Sequence, residues 1–120
     1  MRTKNKKLSK LRNRLEQILI GEIISDISSD CLEINLPEVK INISVELRDD
    51  KVYHVLLSKL YYDDGWKSSI LINFIDTDGE KRYGKMCETI NLAYKHVKYV
   101  LKQDKEYKYL LRKEKLERLV

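Results

Sequence analysis

The chain is expected to be an α+β protein, with an N-terminal helix, an antiparallel meander of about four to six strands and a long C-terminal helix. Three observations predict it. Leucine and isoleucine recur at helical spacing before Gly21; residues 39–47 alternate strictly between apolar and polar; and helical spacing returns from Lys85 with lysines on its far side. Strands grouped together and flanked by helices fit α+β rather than alternating βαβ units.

The first helix is expected from Lys6 or Lys7 to Ile20. Leu8, Leu11, Leu15, Ile18 and Leu19 form its apolar side, and Gly21 is placed to end it. Its outer surface carries Lys7, Lys10 and Arg14.

The period changes to that of strands at Glu22. Ile23, Ile24 and Ile27 make a short strand, and Ser28-Ser29-Asp30 turns the chain. Leu32, Ile34 and Leu36 alternate up to Pro37. Val39, Ile41, Ile43, Val45 and Leu47 then alternate with Lys40, Asn42, Ser44 and Glu46, so one side of the sheet is wet at this strand. Arg48-Asp49-Asp50-Lys51 is a polar reversal. Residues 52–62 are apolar on both sides (Val52, Leu56 and Leu60 against Tyr53, Val55 and Leu57), which predicts a central strand covered on both faces, with a short helix as the alternative. A two-faced strand is expected over Ile70–Ile75, followed by a hairpin at Asp78-Gly79 that returns through Tyr83.

The terminal helix is expected from Lys85 to about Leu111. Met86, Ile90, Ala93, Val97, Val100, Leu101, Tyr107 and Leu111 fall on one stripe, and Lys95, Lys98, Lys102 and Lys105 lie roughly opposite. Asp104 sits near the centre of the apolar stripe. An unpaired buried carboxylate is costly, so the helix should leave the core or break near Gln103–Glu106. Arg112–Val120 then forms a separate, weaker packing unit or a contact with another chain.

A chain of 120 residues is long enough for a single domain with one modest core. Residues 1–6 are expected as a basic arm and 112–120 as a peripheral segment. Charged residues make up 36% of the sequence, against about 25% in typical domains. No apolar run reaches the roughly 18 residues of a membrane span, and Arg12, Arg14 and Glu16 interrupt any signal-like core, so a soluble cytoplasmic protein is expected. Charge is segregated along the chain. Residues 1–14 hold seven basic and no acidic residues, 15–80 hold five basic and fourteen acidic, and 81–113 hold ten basic and three acidic. Such a molecule has two electrostatic sides.

Cys31 and Cys87 lack metal-ligand spacing, and His54 and His96 do not complete a cluster; both thiols are expected to be reduced and structural, with no cofactor or metal. Neither a nucleophile elbow nor a glycine-rich phosphate loop is present. Asp76-Thr77-Asp78-Gly79 echoes the start of a calcium loop, but position twelve is Cys87 instead of glutamate, so a hairpin turn is the better reading.

Three function classes follow, in order of preference. The first is a non-enzymatic protein that associates with nucleic acid through Lys7, Lys10, Arg12, Arg14, Lys95, Lys98, Lys102 and Lys105, with Tyr99 and Tyr109 near for stacking. The second is an inhibitor or regulator, of the kind phages and mobile elements encode. It would dock Tyr61, Tyr62, Asp63, Asp64 and Trp66, around one turn, into a basic groove of a nucleic-acid-processing protein. The third is a metal-dependent nuclease using Glu16, Asp30 and the Glu38-Val39-Lys40 triplet, whose Glu and Lys would share a strand face. If both helices cover one side of the sheet, an apolar surplus on the other calls for a second chain, giving a homodimer.

Overall fold

The computed structural model describes residues 5–63 and 66–119, with side chains from Asn5 to Tyr61 and from Ser68 to Arg118. Helix α1 (Lys6–Ile18) begins where the Asn5 carboxamide oxygen accepts from the amides of Lys7 and Leu8, at 3.0 and 3.3 Å. Leu8, Leu11 and Leu15 are fully buried. The helix stops two residues before the expected Ile20. Gly21 then redirects the chain at φ +81°, and a Cβ there would stand 2.7 Å from Glu38 Oε1.

Strands β1 (Ile24–Ile27), β2 (Cys31–Leu36), β3 (Ile41–Arg48) and β4 (Val52–Asp63) form an antiparallel meander. Two shorter strands share the far side of β4. Strand β5 (Trp66–Leu71) pairs with its second half and β8 (Gly84–Cys87) with its first. Between them, β6 (Phe74–Ile75) and β7 (Lys81–Arg82) make a small separate hairpin. The six-stranded sheet with its flanking helices is the expected α+β arrangement.

Several boundaries differ from the sequence expectation. Pro37–Lys40 is a turn with Lys40 at φ 56°, so β3 begins at Ile41 rather than Val39. The expected strand over Ile70–Ile75 is interrupted after Leu71, where the Ile72 amide donates to the Leu57 carbonyl before β6 starts. Asp78-Gly79 does turn a hairpin, through a five-residue loop, Asp76–Glu80, in which Gly79 takes φ +83°. Lys85–Cys87, expected as helix, is strand β8, and helix α2 (Ile90–Gln103) starts after a Thr89 cap whose hydroxyl accepts from the Leu92 amide. Asp104 ends α2, and α3 (Lys105–Leu119) continues from it, as the misplaced carboxylate predicts.

The register puts Leu32, Val45 and Val55 in one inward row and Ile34, Ile43 and Leu57 in the next, all essentially buried. Helix α1 lies over β1 and β2 and helix α2 over β4 and β8, on this same face. Among the described residues no helix covers the other face. Here the expectation that β4 is covered on both sides fails: Leu56 and Leu60 point to the open face and are only half-buried. Gly84 lets Leu56 lie flat, since a Cβ there would be 2.5 Å from Leu56 Cδ2. None of the described helices is long and apolar enough to cross a membrane.

Candidate nucleic-acid interface

Helices α1 and α2 run side by side in the same direction. Arg14 reaches Asn91 and Tyr94, and one turn further on Ile18 shares a small cleft of about 80 Å³ with Lys98 and Leu101. The Arg14 guanidinium lies 4.0 Å from the centroid of the Tyr94 ring and donates to Asn91 Oδ1 at 3.3 Å; the Lys98 ammonium stands 5.4 Å from the same centroid. A cation over an aromatic ring is attracted by its quadrupole, which holds two like charges near one another.

From its second turn on, the outward side of α2 carries lysines, with Leu92 and Tyr99 also exposed there. Ala93, His96, Val97, Val100 and Leu101 face the core, leaving Lys95, Lys98 and Lys102 on one ridge. Helix α2 contains no acidic residue. Among the described residues Lys10, Arg14, Lys95, Lys98 and Lys102 form no ion pair with a carboxylate.

The other basic candidates stand differently. Lys7 is 3.3 Å from Asp50 and donates to the Asp50 carbonyl, and Arg12 is 4.0 Å from Glu16 on its own helix. Both charges are partly met inside the molecule. Lys105 begins α3 and lines two grooves beside Glu106, away from the α2 ridge. The structure therefore divides the eight-residue basic set and gathers Arg14 with Lys98 and Lys102.

The aromatic assignments change as well. The Tyr99 hydroxyl donates to the Ile75 carbonyl and its ring meets Phe74 edge-on at 6.5 Å, so it braces the β6–β7 hairpin. Tyr109 lies on α3 and is 69% exposed. Tyr94 is the aromatic residue within the basic surface, and the sequence pattern does not single it out. Its spacing of four from Lys98 is visible in the chain; its approach by Arg14, from the far end, is not.

Glu38 and Lys40 do not share a strand face. They sit in the β2–β3 turn, where Glu38 Oε1 accepts from the Glu22 amide at 2.9 Å. Glu16 accepts instead from the Ser25 hydroxyl at 2.9 Å. No group of three His, Cys, Asp or Glu side chains gathers to hold a metal among the described residues, so the nuclease arrangement has no geometric basis there. Asp76 and Asp78 belong to a hairpin loop. Both hold Arg82, at 2.9 and 2.7 Å, and their carboxyls lie below the usual range because the Thr77 and Glu80 amides, respectively, donate to them.

Cys31 and Cys87 are free thiols on opposite faces of the sheet, and burial raises the pKa of each. Of the acidic–aromatic turn, Asp64 and the side chains of Tyr62, Asp63 and Trp66 lie outside the described residues; Tyr61 is 47% exposed. Comparisons with protein-family models, curated proteins and solved structures find no match to this chain.

Proposed function

We propose that the chain binds nucleic acid through the α1–α2 surface, by phosphate contacts from Lys10, Arg14, Lys95, Lys98 and Lys102. The observation that carries this reading is the acid-free lysine ridge of α2 joined at Tyr94 by Arg14 from α1. Cations at this density, without carboxylates to neutralise them, attract a polyanion and release its condensed counterions. Helical presentation suits this role because the core-facing residues of both helices fix the ridge without using its charges. The Arg14 guanidinium, supported on the partly buried Tyr94 ring, offers a planar cation at the centre of the surface on which an unpaired base can stack. No base-reading motif accompanies them, so the binding is largely independent of sequence.

The test is fluorescence anisotropy with labelled single- and double-stranded oligonucleotides, using the wild type and the triple variant Lys95→Glu, Lys98→Glu, Lys102→Glu. Binding that weakens steeply between about 50 and 300 mM salt and disappears in the variant is expected. Absence of binding, or binding indifferent to salt, overturns the proposal.

A further inference from the structure

Two surfaces of this chain lack partners among the described residues, and they complement each other. One is the open face of the sheet. Its half over β1–β3 is acidic: Asp26 and Glu33 stand directly opposite each other on neighbouring strands, with no cation paired to either among the described residues. Like charges in that position destabilise a ladder unless something outside it supplies the counter-charge. The half over β4, β5 and β8 is apolar, with Leu71 42% and Met86 49% exposed beside Leu56 and Leu60.

The other surface is the outer side of α3. Tyr107, Leu110 and Leu111 face the body of the protein. On the opposite side, Tyr109, Arg112, Lys113 and Leu116 follow one another at i, i+3, i+4 and i+7 and so form a second stripe. Tyr109 is 69% and Leu116 64% exposed; Tyr109 and Lys113 border a groove shared with Glu38 and Glu106, but neither Lys113 nor Arg112 forms an ion pair among the described residues. A helix end with so little packing is marginal in water on its own. Apolar residues and cations thus lie on the helix, and apolar residues and carboxylates on the sheet.

We infer that two copies of the chain associate as a two-fold dimer in which the outer side of α3 of each lies on the open sheet face of the other. Arg112 and Lys113, one on each flank of the stripe, supply the counter-charge that Asp26 and Glu33 lack, and Tyr109 and Leu116 between those flanks supply apolar cover. One helix on one sheet is small against the roughly 1,200–2,000 Å² of a standard interface. Two-fold symmetry makes the contact twice and closes the assembly. The α1–α2 surface stays outward, so the inference is independent of nucleic-acid binding.

Sedimentation velocity of the full chain, without nucleic acid, over about 5–300 μM, tests this by charge exchange. A dimer is expected that loosens as salt rises. The pair Asp26→Lys with Glu33→Lys should weaken it at least about tenfold, and so should Arg112→Glu with Lys113→Glu, because each creates like-charge contacts. Mixing these two variants in equal amounts should restore the dimer, since each helix then meets a sheet of opposite charge. All four positions are exposed, and circular dichroism would verify that the variants fold. A monomer at every concentration overturns the inference; so does a dimer that ignores both pairs, or a mixture that fails to re-form it.

Discussion

Lys59 Nζ stands 3.3 Å from Asp104 Oδ2, joining the inward face of β4 to the break between α2 and α3, with both side chains more than four-fifths buried. Asp104 also accepts from the Tyr107 amide at 3.0 Å, so it caps the start of α3 while pairing with the lysine. Lys59 reaches Glu106 as well, at 3.0 Å. The carboxylate that interrupts the apolar stripe is therefore the joint between the two helices and the end of the core. Asp104→Ala is expected to remove a cap and one of the two carboxylates that hold the largely buried Lys59, leaving Glu106 as its partner, at a cost on the order of 1–3 kcal/mol. Asp104→Asn keeps the capping oxygen and should cost less. Urea denaturation of both variants gives the comparison, and equal losses would mean that capping contributes little.

A second expectation concerns acid. His96 is buried under the β6–β7 hairpin, its ring 4.6 Å from that of Phe74 in an edge-on contact. Burial, with help from the nearby Lys85 charge and against Asp76, lowers its pKa to about 4. The folded value lies below the free value of 6.5, so the folded state favours neutral histidine. That stability is complete above about pH 6.5 and is lost as pH falls through 4. The loss should be on the order of 2–3 kcal/mol. Thermal melts from pH 7 to 4 should show this slope in the wild type and a shallower one in His96→Phe.

The backbone supplies a third. Gly21 takes a φ of +81° that side chains rarely adopt, directly against the Glu38 carboxylate that accepts from the Glu22 amide. Gly21→Ala is expected to destabilise the fold by about 1–3 kcal/mol, through left-handed strain and displacement of Glu38. Glu38→Ala alone should cost less, since it leaves the glycine unstrained. If Gly21→Ala unfolds at the wild-type urea concentration, the turn tolerates a Cβ.

Much of this architecture is legible in the chain because local pattern and final burial agree. The alternation from Ile41 to Leu47 is the inward row of β3, and the leucines of α1 are its buried face. Asp104 marks the α2–α3 break by its charge alone, since a carboxylate in an apolar stripe needs a cap or a cation to hold it. Other parts are hidden by ambiguity of period. Met86 lies four residues before Ile90 and so continues a helical stripe, although it belongs to a strand; the Thr89 hydroxyl decides where the helix begins. The two apolar sides of β4 imply two covers, whereas among the described residues a helix covers one side, and Leu56 and Leu60 lie half-buried on the open face. The meeting of Arg14 with Tyr94 is beyond reach for another reason. It depends on how α1 and α2 are placed over the sheet, and no short-range pattern encodes that placement.

The division of the basic set leads to a graded expectation for binding. Lys7 and Arg12 already face Asp50 and Glu16, whereas Lys95, Lys98 and Lys102 have no carboxylate partner among the described residues. Each phosphate contact contributes about 0.7–0.9 to the slope of log affinity against log salt. Neutralising the three α2 lysines to glutamine should therefore lower that slope by about 2–3 and weaken binding at every oligonucleotide sequence alike. Neutralising Lys7 and Arg12 should leave it almost unchanged, since the charge they present outward is small. Tyr94→Leu separates the roles further: it should weaken single-stranded ligands more than duplex, without altering the salt slope, because stacking releases no counterions. Equal slopes for the two lysine groups would place the contact elsewhere and count against the α1–α2 ridge.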